Sequence, residues 1–564
     1  MVNKLLSRSS SLILRRQNSI ISAAVIMMIL MLASRVLGLF RNWFLARYFG
    51  ASGTLDAYNA AFVFPDLLTN VLITGALSAA FIPIFTDYLA KKKYQESEIL
   101  ASTILNLSLI VFGIIAVIIF LFPAQLNYMI GIRLDPRYAL QAAQLTRVVI
   151  FGELILIVAS FLTSVLQSYH RFLVAAIAPV VYNLGVIFGI VVLSRSFGIL
   201  GVGLGVVIGA VCHATIQLFA LNSIGFHYRQ VMSFKNPDVF RVLKLSLPRA
   251  VSVGIGQLES IINVVLASSL AVGSIAVLEF ATDLQNLPIG LFGVTIATAA
   301  LPTLSMEWVQ DKAEEFKKTF LNSFFQMLYL AVPVSVILAV LRIPIVRIVL
   351  GSGLFDWTAT VATATTMSYF AIGVFAQAGF LLVTRAFYAM HDTVTPLKIA
   401  VAGLIFHALI GSFFIFGLGG QVKIPVAFLG LTTSLSGMFS FFILFFLLDR
   451  RLGGFGAKQI LYPVTKIAAA SLVMAVFLYV PLHVRLPGGE LIIDYIIDTK
   501  RALNLLFLTG SIAIAGLALY GLLTWWFNSQ ELKAYLSMLP DFRKAGKLLD
   551  FEESVDSTPT STRP

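Results

Sequence analysis

Residues 34–41 read SRVLGLFR and set two arginines inside the first long apolar run of the chain. Apolar sequence continues downstream, where Arg47, Asp56 and Asp66 interrupt it in turn. A charged side chain deep in a lipid-spanning helix costs about 3 kcal/mol on insertion scales, so it normally faces a polar cavity or a charged partner. The stretch therefore predicts membrane-spanning helices around a water-filled path, an arrangement typical of transporters.

The composition extends this interpretation to the whole chain. Of its 564 residues, 59% are hydrophobic and 12% are charged, a balance typical of polytopic membrane proteins. Apolar runs of membrane-spanning length recur along nearly the whole sequence, and the short alternating strands of a membrane barrel are not found. The predicted fold class is all-α, an integral membrane protein with about 14 transmembrane helices.

The net charge of +13 follows from the positions of the basic residues. An even number of spans puts both termini on one side of the membrane, and the connections on that side carry most of the Lys and Arg. By the positive-inside rule, both termini are predicted to be cytoplasmic. Topology thus explains the charge, so membrane lipids are expected partners and nucleic acid is not. Basic residues on the predicted cytoplasmic side include Lys91, Lys92, Lys93, Arg229, Lys312, Lys317, Lys318, Arg450, Arg451, Lys458 and Lys533.

The apolar runs divide the chain into two blocks of six spans and a final pair. The predicted parts are a cytoplasmic N-terminal segment (1–19), a first lobe (20–225), a cytoplasmic linker (226–244), a second lobe (245–448), two C-terminal spans (449–527) and a cytoplasmic tail (528–564).

The two blocks resemble each other weakly. SAAFIP at 78–83 ends the second span and TAALP at 298–302 ends the eighth. Because each block has an even number of spans, both would share one orientation, as in parallel-repeat transporters. We therefore expect two six-helix lobes plus two C-terminal helices, with a binding site between the lobes.

Motifs for other classes of function are not found in the sequence. Cys212 is the single cysteine and lies in an apolar span, which excludes a disulfide framework and a cysteine metal cluster. Phosphate-loop, zinc-protease and nucleophile-elbow motifs are also missing. Gly201, Gly205 and Gly209 recur every four residues, which favours close helix packing over dinucleotide binding. We expect neither enzymatic activity nor a cofactor or metal.

Arg35 and Arg41 are the first candidates for cations that face a cavity. Arg35 lies ~24 Å into the first span, too deep for a terminal position. Arg41 is assigned to the cavity with interfacial snorkelling as the alternative, and Arg47 is expected to snorkel. Gly38 would loosen the helix so that both arginines point inward, since a spacing of six residues does not place them on one face.

Asp56 begins the second span and has two interpretations. It is either the ion-pair partner of Arg41 or Arg47, or a cap at the N-terminus of its own helix. Pro65 and Pro288 are candidate helix breaks or gating positions. Later spans hold further ionisable residues, some of which must pair structurally: Arg147, Glu153, Arg249, Glu259, Glu279, Asp283 and Arg385.

Motifs from the first to the eleventh predicted helix occur in the order of one known family. They are SRVLG at 34–38 with Arg41, DA at 56–57, FPDLL at 64–68, GALSAAFIP at 75–83, RF at 171–172 with AP at 178–179 and Asn183, LPIGLFGV at 287–294, LP at 301–302, and RAFYAMHDTVTP at 385–396. On these residues the chain resembles the MurJ/MviN lipid II flippases of the multidrug/oligosaccharidyl-lipid/polysaccharide exporter superfamily.

The resemblance implies a fourteen-helix flippase of the bacterial cytoplasmic membrane, with two lobes around a central cavity. Such a protein carries lipid II, a polyprenyl-pyrophosphate-linked glycopeptide, from the inner to the outer leaflet by alternating access. The last two helices would form a groove for the polyprenyl chain, and cell-wall synthesis proteins would be further partners. Pyrophosphate needs guanidinium donors. The expected cavity residues are Arg35, Arg41, Asp56, Arg249 and Arg385.

Two positions depart from the family pattern. Thr69 and Asn70 stand where the resemblance implies an arginine after the second-span motif, and Asp283 stands at an eighth-span arginine position. Arg249 and Arg147 are candidate replacements. The departures leave three alternatives open: export of another polyprenyl-linked oligosaccharide, export of an amphiphilic drug, and a non-transporting scaffold that recruits partners through its tail. The driving force is also open among membrane potential, protons and sodium.

Overall fold

The computed structural model describes residues 20–71, 81–233, 236–418, 425–483 and 502–537. In these residues the regular structure is helical and contains no strand, which confirms the all-α class. The helices are α1 (Ile20–Phe49), α2 (Gly53–Asn70), α3 (Ile82–Ala90), α4 (Tyr94–Leu121), α5 (Pro123–Met129), α6 (Pro136–Ser168), α7 (Phe172–Phe188), α8 (Ser194–Phe197), α9 (Ile199–Ser223), α10 (Pro237–Ser268), α11 (Ser274–Pro288), α12 (Thr295–Val309), α13 (Ala313–Val340), α14 (Arg342–Val349), α15 (Trp357–Ala389), α16 (Val394–Ser412), α17 (Ala427–Arg451), α18 (Ala457–His483) and α19 (Ala502–Trp526).

Eleven helical segments in the described part of the chain are long and apolar enough to cross a membrane. The predicted first, second and seventh spans correspond to α1, α2 and α10, which lie outside this set. In α10, the apolar stretch Val253–Ser268 is shorter than the others. The multi-pass helical class is thus confirmed, whereas the count of fourteen stays a prediction. Residues 1–19, 72–80 and most of the predicted tail lie outside the described residues.

The described residues form two compact units, and the predicted division into two lobes and a C-terminal pair stays a prediction. The first unit is drawn from Met1–Leu284, Ile345–Tyr369 and Leu397–Ser436, and the second from Gln285–Pro344, Phe370–Pro396 and Gly437–Pro564.

Helix α6 is central to the first unit and packs against α2, α4 and α9. The ring of its Phe161 lies 4.9 Å from that of Phe81, which stacks on Phe85 at 5.0 Å. All three side chains are buried. Because lipid chains are as apolar as these rings, the rings stabilise the unit through close packing rather than by leaving water.

Glycines bring α7, with the π-helical turn that follows it (Gly189–Leu193), into backbone contact with α9. A Cβ atom on Gly205 would lie 2.6 Å from the Cα of Gly189, and one on Gly209 would lie 2.6 Å from the carbonyl oxygen of Tyr182. A Cβ on Gly201 would lie 2.5 Å from the backbone of Leu193. The prediction that Gly201, Gly205 and Gly209 are packing residues is confirmed.

In the second unit, α13, α18 and α19 pack together. The Tyr520 hydroxyl donates to the carbonyl oxygen of Tyr329 at 3.0 Å, and the Tyr329 hydroxyl lies 3.0 Å from that of Thr524. Buried hydroxyls in a membrane need such partners, because lipid offers none. These hydrogen bonds fix α19 to α13, against which α18 also packs, and the groove of the two C-terminal helices for a polyprenyl chain stays a prediction.

We expect Gly205→Ala to lower the thermal stability of the detergent-solubilised protein. The added methyl group forces α7 and α9 apart, and overpacking of this kind costs about 1–3 kcal/mol. Gly113→Ala in α4 is the matched control, because a Cβ there meets no atom within 4 Å. The readout is the fraction of monodisperse protein after heating. Equal stability of the two variants would contradict the packing assigned to Gly205.

Candidate functional site

A polar cavity of about 210 Å³ lies within the first compact unit, among α1, α2, α7, α10 and α11. Such a lining is the environment that a charged side chain within a membrane requires. The charged and polar residues that line it are Arg41, Asn42, Tyr58, Asn59, Asp66, Tyr182, Gln257, Ser260, Glu279 and Asp283.

Asn42 links Arg41 to Asp283. The Arg41 Nε–H donates to the side-chain oxygen of Asn42 at 3.1 Å, and the Asn42 amide nitrogen donates to the Asp283 carboxylate at 2.5 Å. Asn42 is buried. Within the described part of the chain, the terminal NH₂ groups of Arg41 form no hydrogen bond, so they are available to an anionic ligand.

Three carboxylates, those of Asp66, Glu279 and Asp283, line the same cavity. Among the lining residues that the structure describes, they face one guanidinium, that of Arg41. Glu279 and Asp283 are four residues apart on α11 and therefore share one helix face. Like charges this close repel each other unless a cation lies between them or protons are bound. The cavity thus combines one cationic donor with an excess of anionic acceptors.

Asp56 has a structural role at the edge of this site. Its carboxylate is buried, with 3% exposure, and it accepts hydrogen bonds from the backbone N–H groups of Gly273 at 2.5 Å and Ala276 at 2.8 Å. The side chain therefore caps the N-terminus of α11. This arrangement is neither an ion pair with Arg41 or Arg47 nor a cap of its own helix. It fastens α2 to α11, and both helices line the cavity.

The other predicted cations are placed differently. Arg35 lies on α1 with an exposed side chain, and no described residue forms an ion pair with it. Arg249 belongs to α10, but its side chain lies outside the described residues. Arg385 belongs to α15 in the second unit, where its guanidinium lies 5.8 Å from the centre of the Tyr388 ring. Of the five predicted site residues, the structure brings Arg41 to the described cavity.

The positions that depart from the family pattern have local partners. The Thr69 hydroxyl donates to the Glu153 carboxylate at 2.7 Å, and both side chains are buried. Arg147 is exposed, and its Nε–H donates to the carbonyl oxygen of Phe120 at 3.1 Å. The Arg147 side chain therefore does not line the described cavity.

The candidate helix breaks also differ from one another. Helix α1 passes Gly38 and helix α2 passes Pro65 without interruption. Pro288 ends α11 directly before the π-helical turn Ile289–Val294. Among Gly38, Pro65 and Pro288, it is Pro288 that is directly followed by a change in helix geometry.

Asp66 and Glu279 line the cavity but are not among the site residues predicted from the sequence. A signal was present, because an ionisable residue in a membrane span is by default a functional candidate. Their spacing along the chain, however, does not show that Asp66 on α2 and Glu279 on α11 would meet around Arg41.

The sequence matches the model of the family described as "Lipid II flippase MurJ" over residues 45–493. It is 27% identical to the probable lipid II flippase MurJ of Buchnera aphidicola subsp. Acyrthosiphon pisum over 460 residues, which are 80% of this chain and 88% of the relative. It is 28% identical to the lipid II flippase MurJ of Burkholderia cenocepacia over 388 residues, which are 66% of this chain and 74% of the relative.

Two solved structures also align with most of this chain. A lipid II flippase MurJ in an inward closed conformation aligns with a TM-score of 0.72 and 25% identity, covering 89% of this chain and 98% of that chain. An inward-facing multidrug resistance MATE family transporter aligns with a TM-score of 0.63 and 13% identity, covering 76% of this chain and 98% of that chain. The second match shows a shared fold alone.

We expect Asp56→Ala to destabilise the protein, because two buried N–H groups at the start of α11 lose their acceptor, at about 1–3 kcal/mol for each unsatisfied group. Asp356→Ala is the matched control. Asp356 is exposed and accepts from the Ala359 N–H at 2.7 Å at the start of α15, where water can replace it. Thermal unfolding in detergent measures both. Equal losses would contradict the assignment of Asp56 as a buried cap.

Proposed function

Because the chain belongs to the lipid II flippase MurJ family, we infer that it translocates lipid II from the inner to the outer leaflet of the bacterial inner membrane, in cell-wall biogenesis. The match over residues 45–493 carries this inference. The protein is a multi-pass membrane transporter, and alternating access is its proposed mechanism. We propose no covalent change to the substrate.

Arg41 is the proposed contact for the pyrophosphate group. A guanidinium donates two parallel hydrogen bonds to phosphate oxygens, and both terminal NH₂ groups of Arg41 are without a partner among the described residues. The cavity of about 210 Å³ is smaller than the roughly 300–1,000 Å³ of usual ligand pockets. In this conformation it suits the pyrophosphate rather than the whole headgroup.

The carboxylates would act as internal competitors for Arg41. Asp283 reaches Arg41 through Asn42, which keeps the cation compensated within the membrane. Pyrophosphate must compete with Asp283 for Arg41. This competition keeps binding weak enough for the substrate to be released, as transport requires. Asp66 and Glu279 oppose the substrate charge further and favour its release.

Arg35, Arg249 and Arg385 remain proposed as additional cations along the path. Arg35 lies six residues before Arg41, or about 9 Å along α1. Arg35 and Arg385 do not line the described cavity, so their contribution would come at another stage of transport. The Arg249 side chain lies outside the described residues. Arg249→Ala tests the proposed replacement for the missing family arginines, and unchanged transport would exclude it.

Both termini are proposed to be cytoplasmic. Three predicted cytoplasmic segments of the second unit, near the start of α13, between α17 and α18, and after α19, border one cavity. They therefore lie on one side of that unit, as the topology requires. Recruitment of cell-wall synthesis proteins is also a proposal, for which no contact surface is assigned.

Export of a cationic amphiphile is a second candidate function, favoured by the three carboxylates around one guanidinium. Such a substrate would bind Asp66, Glu279 and Asp283 rather than Arg41. Energy-dependent efflux of a cationic dye that Asp283→Asn reduces and Arg41→Ala leaves intact would support this function over lipid II transport.

We expect the wild-type chain to restore lipid II translocation in cells depleted of their own flippase, and Arg41→Ala to reduce it at least about tenfold through loss of a charge-assisted contact. The readout is lipid II accessible from outside the cell. Arg147→Ala is the matched control, because it removes the same charge from an exposed arginine that does not line the cavity. Arg35→Ala tests the second proposed contact.

Failure of a well-expressed wild type would overturn the substrate assignment. Equal rescue by Arg41→Ala and Arg147→Ala would keep the flippase function and reject the assigned role of Arg41. A chain without residues 538–564 should retain translocation, whereas a scaffold acting through its tail would lose its effect.

A further inference from the structure

A groove in the second compact unit has no role in the proposed transport step. We define the lysine groove by the residues that line its cavity of about 1180 Å³: the first turns of α13, the α17–α18 connection, the first turns of α18 and residues 528–534. Four lysines line it, Lys317, Lys318, Lys458 and Lys466, against the carboxylates of Glu314 and Glu531.

The two carboxylates are already engaged. Glu314 accepts from the Lys317 ammonium group at 2.7 Å, and Glu531 accepts from the Ser529 hydroxyl at 2.5 Å. Within the described residues, Lys318, Lys458 and Lys466 form no salt bridge. Lys466 instead lies over the ring of Tyr462, 4.0 Å from its centre. The hydrogen bond from Ser529 leaves the charge of Glu531 in place, so the four lysines and two glutamates of the lining leave an excess of two positive charges.

Membrane topology alone does not explain where these lysines lie. A lysine in a cytoplasmic connection satisfies the positive-inside rule, but Lys466 lies about 12 Å beyond Lys458 along α18. Lys458, Tyr462 and Lys466 recur every four residues and therefore form one stripe on that helix. Lys458 is also in the first turn of α18, where the helix dipole disfavours a cation and no acidic residue compensates it. An anionic ligand would compensate both the two lysines of this stripe and the positive end of the helix dipole.

The rest of the lining indicates the kind of anion. Leu321, Phe325 and Pro463 add apolar surface beside the lysines. Outside the groove lining, Leu461 and Leu472 on α18 are exposed, as expected of a helix that faces lipid chains. A lipid matches this surface, because its phosphate group would bind among the lysines and its apolar chains would lie along α18.

We propose that the lysine groove binds a phosphate-bearing anion, with the headgroup of an anionic membrane lipid as its source. The ligand links α13 and α18 through Lys318, Lys458 and Lys466. This site is separate from the Arg41 cavity, because every residue that lines it belongs to the second unit. The proposal does not depend on lipid II being the transported substrate.

The test measures ligand binding to the purified full chain by mass spectrometry of the intact protein in detergent. The probes are phosphatidylglycerol, phosphatidylcholine and inorganic pyrophosphate. The Lys318→Gln, Lys458→Gln, Lys466→Gln triple variant is compared with Lys91→Gln, Lys92→Gln, Lys93→Gln. The control removes three charges from the connection between α3 and α4, where Lys91 and Lys93 pair with Asp87 and Glu96 at exposed positions.

We expect phosphatidylglycerol to bind the wild type and the control alike, and the groove variant about a hundredfold more weakly, from roughly fivefold for each lysine. Preferential binding of pyrophosphate with the same dependence on the groove lysines would support the site with a soluble anion as its source. Equal weakening in both triple variants, or no preference for phosphatidylglycerol or pyrophosphate over phosphatidylcholine in the wild type, would overturn the proposal. If the groove variant does not fold, Lys466→Gln alone is tested, with about fivefold weakening expected and none contradicting the site.

Discussion

A guanidinium within a membrane must have water or charged partners around it, and the cavity of the first unit provides them for Arg41. Asn42 carries the connection from Arg41 to Asp283, so the positive group of α1 is compensated by a helix more than two hundred residues further along the chain. The compensation is indirect, since Asn42 takes the hydrogen bond that the carboxylate would otherwise make. The terminal NH₂ groups of Arg41 therefore stay available to a substrate.

The helices around Arg41 are fixed by contacts that do not involve charge pairs. Asp56 caps α11 from α2, and the glycines of α9 let its backbone meet α7. Both contacts suit a membrane, where unsatisfied backbone groups are costly and close packing replaces the hydrophobic effect. Together with the Asn42–Asp283 hydrogen bond, they hold in place the helices whose polar side chains line the cavity.

The helical class and the multi-pass character followed from the length of the apolar runs, because a membrane admits few other structures. The role of Gly201, Gly205 and Gly209 followed from their spacing, which places them on one helix face in any context. The surroundings of Arg41 could not be predicted in the same way. Arg41 lies on α1, Asp66 on α2, and Glu279 and Asp283 on α11, and only the tertiary packing decides that these helices meet around one cavity. The partners of Asp56 could not be predicted either, because they are backbone N–H groups, which every residue except proline has.

Lipid II binding to the purified protein tests most directly whether Arg41, held through Asn42 by Asp283, presents its guanidinium to pyrophosphate. Titration of lipid II followed by mass spectrometry of the intact protein gives the affinities of the wild type, Arg41→Ala and Asp283→Asn. We expect Arg41→Ala to weaken binding about 10- to 100-fold, and Asp283→Asn, which removes the competing charge, to bind as tightly as the wild type or more tightly. Unchanged affinity of Arg41→Ala, or weaker binding by Asp283→Asn alone, would contradict this expectation.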